Sequence, residues 1–209
     1  MENRRPIKAR SSSWAQKLAK YLSNTGITPN QISLLSIVFS IIGAYFLLYH
    51  SWEGGLIICA ICIQLRLICN LLDGMVAIEG NKKSYTGVIF NEFPDRISDT
   101  ILIVAAGYFI SSASMGWLTA FFAFFTAYIR VFSGSLGFKQ SFAGPMAKQQ
   151  RMGFLTAGLL AGQVELWTLN NSYTMFLVML TLLIGSALTC YARIKILMED
   201  LQKKEDGLL

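Results

Sequence analysis

Residues 66–99, RLICNLLDGMVAIEGNKKSYTGVIFNEFPDRISD, decide how the rest of the chain is read. Two apolar segments flank a short polar turn, yet they carry Arg66, Asp73, Glu92, Asp95, Arg96 and Asp99. An ionised side chain costs about 2.5–3.5 kcal/mol at the centre of a membrane helix, so six facing lipid would cost on the order of 15–20 kcal/mol. These side chains are expected to line a wet, functional cavity.

The surrounding chain explains why lipid is the relevant solvent. Of 209 residues, 54% are hydrophobic and only 14% charged, with a mean hydropathy of +0.49; both values lie on the membrane side of the soluble globular range. Apolar stretches near the 20 residues needed to cross a bilayer run over about 30–49, 55–79, 86–111, 116–138, 152–169 and 173–197. The expected fold is an all-α integral membrane protein of six transmembrane helices, preceded by a juxtamembrane amphipathic helix. That first helix is read over 11–25, where Trp14, Leu18, Tyr21 and Leu22 recur at helical spacing beside Lys17 and Lys20, the pattern of a helix lying on a membrane surface. Gly26 ends it, and Pro29 suits the start of the next helix, where its missing N–H costs little. Residues 1–28 carry six Lys or Arg and no continuous apolar core, so the first spanning helix is expected to act as the targeting signal. The organisation is thus a cytoplasmic N-terminus with its interfacial helix over 1–28, a membrane domain over 29–198 and a cytoplasmic tail over 199–209.

The turns at 50–54, 111–115 and 169–172 contain no Lys or Arg, whereas the N-terminus, Lys82, Lys83, Lys139, Lys148, Arg151 and Arg193 to Lys204 are basic. The positive-inside rule then puts both termini in the cytoplasm, and Trp52, Trp117 and Trp167 beside the charge-free turns give the same answer as an outer aromatic belt. The net charge of +6 belongs mostly to the cytoplasmic face, implying attraction to anionic lipid and no nucleic-acid partner. Cys59, Cys62, Cys69 and Cys190 fall within apolar runs and read as small buried hydrophobes; the C-x-x-C at 59–62 lacks a second ligand pair.

Within the decisive stretch, Arg66, Asn70, Asp73 and Ala77 are spaced by 4, 3 and 4, and Gly87, Asn91, Asp95 and Asp99 by 4 each. Each set shares one helical face. With a turn near 80–85, Asp73 and Asp95 lie at similar depth on the two helices, on the order of 10 Å below the cytoplasmic edge. Carboxylates and carboxamides converging from two helices suit a hard divalent cation, and Gly74 and Gly87 leave room for a backbone or a phosphate. A packing cluster in which Arg66 or Arg96 neutralises Asp73 or Asp95 is the competing reading, though six charges and two asparagines exceed what packing requires.

The run Asn70-Leu-Leu-Asp73-Gly74-Met-Val-Ala77-Ile78, followed by Gly87, Asn91 and Asp95, resembles the CDP-alcohol phosphotransferase signature D-x-x-D-G-x-x-A-R-x8-G-x3-D-x3-D with every spacing kept. The likeness extends to the six membrane helices, the juxtamembrane helix and Pro29-Asn30. It implies a membrane transferase of phospholipid biosynthesis. A phosphatidyl or related group would pass from a CDP-alcohol such as CDP-diacylglycerol to a hydroxyl acceptor, with release of CMP. It further implies Mg²⁺ or Mn²⁺ held by Asp73, Asp95, Asn70 and Asn91, CDP contacts from Asn70, Asp73, Gly74, Ala77 and Gly87, and Asp95 as general base. A homodimer in a bacterial inner membrane, with a cytoplasmic active site, completes what the resemblance implies.

Three positions depart from the signature: asparagine replaces aspartate at 70 and 91, and Ile78 stands where arginine is usual, with Lys82, Lys83 or Arg66 as possible substitutes. A bacterial subgroup of the family is similar in having asparagine at these two positions. With two motif carboxylates left, one resting cation is expected, since unbalanced charge in a low-dielectric cavity costs several kcal/mol. The same departures suit an alternative, a non-catalytic relative that binds or transports CDP-lipid. A second candidate site is the connection 139–151, KQSFAGPMAKQQR, where Lys148 and Arg151 open a helix and can hold a phosphate with its free N–H groups. Orientation alone would equally explain these charges; the resemblance favours acceptor or lipid-phosphate contact, with Arg130 and Arg193 near the same end. His50, in an outer turn beside Trp52, is assigned no role.

Overall fold

The computed structural model describes residues 12–80 and 86–207, and within them the chain is all-helical. The helices are α1 (Ser13–Asn24), α2 (Pro29–Tyr49), α3 (Gly55–Glu79), α4 (Gly87–Phe109), α5 (Ala113–Ser135), α6 (Lys148–Leu169) and α7 (Tyr173–Glu205), with one 3₁₀ turn at Ser51–Glu53. Four of these, α2, α3, α5 and α7, are long and apolar enough to cross a membrane. The other two long helices are diluted by polar residues: Glu92, Asp95, Arg96 and Asp99 in α4, Gln163 and Glu165 in α6. The expected spans match the observed helices to within a few residues except at two ends. Helix α6 starts at Lys148, so the basic pair lies in its first turn, and α7 continues to Glu205. Lys82 and Lys83 lie outside the described residues, as does most of the stretch before α1.

The described residues fall into two compact units divided within α4, one over 12–105 and one over 106–207. In the first, α2 begins with a capping box. The Thr28 hydroxyl accepts from the Gln31 N–H at 3.2 Å, and the Gln31 side chain accepts from the Thr28 N–H at 2.9 Å, which satisfies donors that a helix start otherwise leaves open. Helix α1 buries Ala15 and Ala19 against a core that includes Ile32, Cys69, Leu72, Met75 and Val76, leaving Trp14, Leu18 and Tyr21 exposed. Of the apolar face read from the sequence, three residues are turned outward and only Leu22 packs against this core, while two alanines make the close contact. Helices α2 and α3 pack tightly at Gly43, where a Cβ would stand 3.0 Å from that of Cys62. All four cysteines are buried and free, in keeping with their reading as packing residues.

In the second unit, α5, α6 and α7 pack together, and Glu165 near the end of α6 accepts from the N–H groups of Tyr173 (3.2 Å) and Thr174 (2.8 Å). That carboxylate caps the first turn of α7, whose open donors favour negative charge. The connection between α5 and α6 is pinned to α7. The Met146 N–H donates to Thr189 Oγ1 at 2.9 Å. Gly144, at φ +113°, lies so close to Thr189 that a Cβ would overlap its side chain, so only glycine fits both the backbone and the space.

Candidate active site

The polar stripe of α3 meets α4 through Asn70, which sits one turn after Arg66 and nearly one turn before Asp73. Asn70 Nδ2 donates to Asp95 Oδ1 at 2.6 Å, so the first and last positions of the motif are in direct contact. One turn earlier on α3, the fully buried Arg66 sends Nη2 to Asp95 Oδ1 (3.5 Å), to the Asp95 carbonyl (3.4 Å) and, in an ion pair, to Asp99 Oδ1. Arg96 Nη2 lies 3.6 Å from the other Asp95 oxygen. Asp95 is thus flanked by a guanidinium on each side, and Asp99 is 2% exposed.

Asp73 is held differently. Its Oδ2 accepts from Ser33 Oγ of α2 at 2.7 Å and its Oδ1 from the Gly74 N–H at 2.5 Å. Hydrogen bonds to an ionised acceptor are about twice as strong as neutral ones, so this carboxylate ties α2 to α3 as Asp95 ties α3 to α4. Ser33 is a functional candidate that sequence reading missed. Its signal was present: Ser33, Ser36 and Ser40 recur at spacings of 3 and 4 in an otherwise apolar helix and are all buried. Ser36 Oγ donates to the Ser33 carbonyl at 2.6 Å, and the Ser36 carbonyl accepts from Ser98 Oγ of α4 at 3.4 Å. Pro94, inside α4 and next to Asp95, removes a backbone donor and disrupts the ladder at that turn.

The remaining motif residues are more open. Gly74, Ala77 and Gly87 are half-buried, Asn91 is exposed, and Ile78 is 49% exposed at the last turn of α3. All motif residues belong to the unit over 12–105. Among the described residues no three Asp, Glu, His or Cys side chains converge on one point. Two carboxylates with a carboxamide between them, all oxygen donors on adjoining helices, still fit a single hard cation; they do not supply a cage for two.

The four basic candidates lie in the other unit. Arg151 is fully buried and donates from Nη1 to the Met146 carbonyl at 3.2 Å. Arg193, 5% exposed, donates from Nε to the Ala143 carbonyl at 3.0 Å and from Nη1 to the Thr126 carbonyl at 2.5 Å. Arg130 donates to Gln140 Oε1 at 2.7 Å and stacks over Phe142 at 5.5 Å. Lys148, half-buried, begins α6. Three of the four therefore brace the connection before α6.

The chain is similar to several known proteins in sequence and in fold. The chain is 29% identical over 126 residues to the inner membrane protein YnbA of Escherichia coli K12, a match covering 60% of this chain and 63% of that one. An uncharacterized Aquifex aeolicus protein is 26% identical over 171 residues, covering 77% and 85%. In fold the chain is similar to Mycobacterium tuberculosis phosphatidylinositol phosphate synthase (PgsA1) with CDP-DAG bound. The TM-score is 0.75 at 20% identity, covering 89% of this chain and 94% of that one. The same enzyme in complex with manganese and citrate gives 0.74 at 20% identity, covering 88% of each. The family profile described as CDP-alcohol phosphatidyltransferase matches residues 26–193, most of the chain including the whole motif. This membrane protein belongs to the CDP-alcohol phosphatidyltransferase family.

Proposed function

We propose that the protein transfers a phosphatidyl or related group from a CDP-alcohol, with CDP-diacylglycerol as the natural form, to a hydroxyl acceptor. The observation that carries this reading is the 2.6 Å contact between Asn70 and Asp95, which brings the two ends of the family motif together. The acceptor oxygen forms a bond to the lipid-bearing phosphorus, the pyrophosphate bond to CMP breaks, and Asp95 takes the acceptor's proton. A positioned carboxylate acting as base contributes about 10²–10⁴-fold. Asn70, Asp73, Gly74, Ala77 and Gly87 hold the CDP group.

One Mg²⁺ or Mn²⁺, held by Asp73 and Asp95 with Asn70 or Asn91 as neutral ligand, would neutralise pyrophosphate charge when bound. Lys148, Arg151, Arg130 and Arg193 hold an anionic group of the acceptor or lipid. In this reading α2 to α7 all span an inner membrane with both termini and the active site cytoplasmic, α1 lies on its surface, the domain over 29–198 carries the chemistry, and the protein is a homodimer.

Asn70, Asn91 and Ile78, together with the two guanidinium groups beside Asp95, favour a second reading in which CDP-lipid is bound without turnover. One assay separates them. Purified full-length protein is given CDP-diacylglycerol, Mg²⁺ or Mn²⁺ and a panel of polyols, phosphorylated polyols and amino alcohols. CMP release with one acceptor class supports the transferase; CDP-lipid binding without CMP release from any acceptor supports the second reading.

A further inference from the structure

One nitrogen of Arg66 reaches three oxygens of a single turn of α4: the Asp95 carboxylate, the Asp95 carbonyl and the Asp99 carboxylate. Asp95 and Asp99 are four residues apart on that helix, a spacing that brings side chains to neighbouring positions on one face. Two carboxylates so placed repel unless a positive charge lies between them. In this chain that charge is a side chain, fully buried and reaching across from α3. It enters one turn before Asn70, a motif position that supplies no charge of its own.

We propose that Arg66 is a protein-borne cation fixed between Asp95 and Asp99, which positions Asp95 and excludes a second metal ion from that pair of carboxylates. The inference rests on the reading of Asp95 as base and metal ligand, and it adds a cause for the expected single cation. The missing carboxylates at 70 and 91 remove ligands, and the guanidinium occupies the cation position that Asp99 would otherwise share with Asp95. Arg66 acts through Asp95, so it is a positioning residue.

The test uses Mn²⁺ alone, titrated into purified full-length protein without substrate and followed by electron paramagnetic resonance, with CMP release as a separate measurement. The parent and Arg66→Lys should each bind one ion per chain. Arg66→Ala, which opens the space and removes the cation that Asp95 and Asp99 share, should bind two. The paired Arg66→Gln/Asp99→Asn variant removes one charge of each sign, so it folds even if Arg66→Ala does not. It should bind one ion with kcat lowered about tenfold or more and KM nearly unchanged, because a small displacement of a catalytic group can cost up to about 10²-fold. Arg66→Lys should recover part of that rate.

Two ions on the parent would overturn the proposal. So would one ion on folded Arg66→Ala with unchanged affinity, or an unchanged kcat in the paired variant. If the parent binds one ion and Arg66→Ala two, while neither the parent nor any variant releases CMP, the transferase reading fails and the role of Arg66 as an internal cation stands.

Discussion

Both units of the chain bury arginines, and they satisfy them in opposite ways. In the unit over 12–105, Arg66 faces two carboxylates on a neighbouring helix. In the unit over 106–207, Arg151 and Arg193 donate to the carbonyls of Met146, Ala143 and Thr126. A carboxylate cancels a guanidinium's charge as well as filling its donors; a carbonyl fills donors alone. Arg66 therefore ties two helices by charge against charge, whereas Arg151 and Arg193 hold backbone segments in place by donating to their carbonyls.

The largest expected effect probes the carboxylate side. Asp95→Asn should leave the fold and CDP-lipid binding in place while CMP release falls about 10²–10⁴-fold. Retained release would pass the role of base to Glu92 or Asp99. On the carbonyl side, Arg193→Met removes two charge-assisted hydrogen bonds, one to Ala143 of the connection and one to Thr126 of α5, each contributing about 1.5–3 kcal/mol. It should lower stability in detergent by about 3 kcal/mol or more, measured by thermal or denaturant unfolding. A variant as stable as the parent would show that Arg193 is not a brace.

A smaller effect separates holding an anion from bracing the segment. Lys148→Gln with Arg151→Gln should raise the KM for acceptor or lipid about tenfold with kcat little changed, the pattern of lost uniform binding. Unchanged kinetics would return both residues to orienting the chain in the membrane. Least of all, Ser33→Ala removes the 2.7 Å hydrogen bond to Asp73 and should weaken CDP-lipid binding a few-fold, by about 1 kcal/mol. Equal affinity by isothermal titration would reduce Ser33 to packing.

Much of this was legible from spacing. Helical periodicity located every long helix, because apolar runs bounded by charged or tryptophan-bearing turns leave little choice of register. The Arg66, Asn70, Asp73 stripe and the Asn91, Asp95, Asp99 stripe were visible for the same reason. Partner choice was legible only in part. Sequence reading offered Asp73 or Asp95 as the acceptors for Arg66 or Arg96; both arginines do lie beside Asp95, but Asp99 is the closest partner of Arg66 and Asp73 turns to Ser33 of α2. Which face of α3 meets α2 and which meets α4 depends on contacts such as Gly43 against Cys62, and a stripe on one helix carries no record of its neighbours. The carbonyl acceptors of Arg151 and Arg193 were hidden more completely, since every residue has a carbonyl and composition cannot mark the ones that will be used.

The connection between α5 and α6 is, mechanically, cargo on α7. Three points along that helix hold it: Thr189 at Met146, Arg193 at Ala143 and, about three turns farther along, Lys204 with its ammonium 5.3 Å from the Phe138 ring centre. At about 1.5 Å rise per residue, the 33 residues of α7 extend about 50 Å, against roughly 30 Å of hydrocarbon, so a long overhang must stand outside the bilayer wherever the helix crosses it. That overhang works like a mast with the connection as its rigging. A tilt or axial rotation of α7, driven by bilayer thickness or by a neighbour, would carry Lys148 and Arg151 at the end of the connection along with it, without unfolding a single turn.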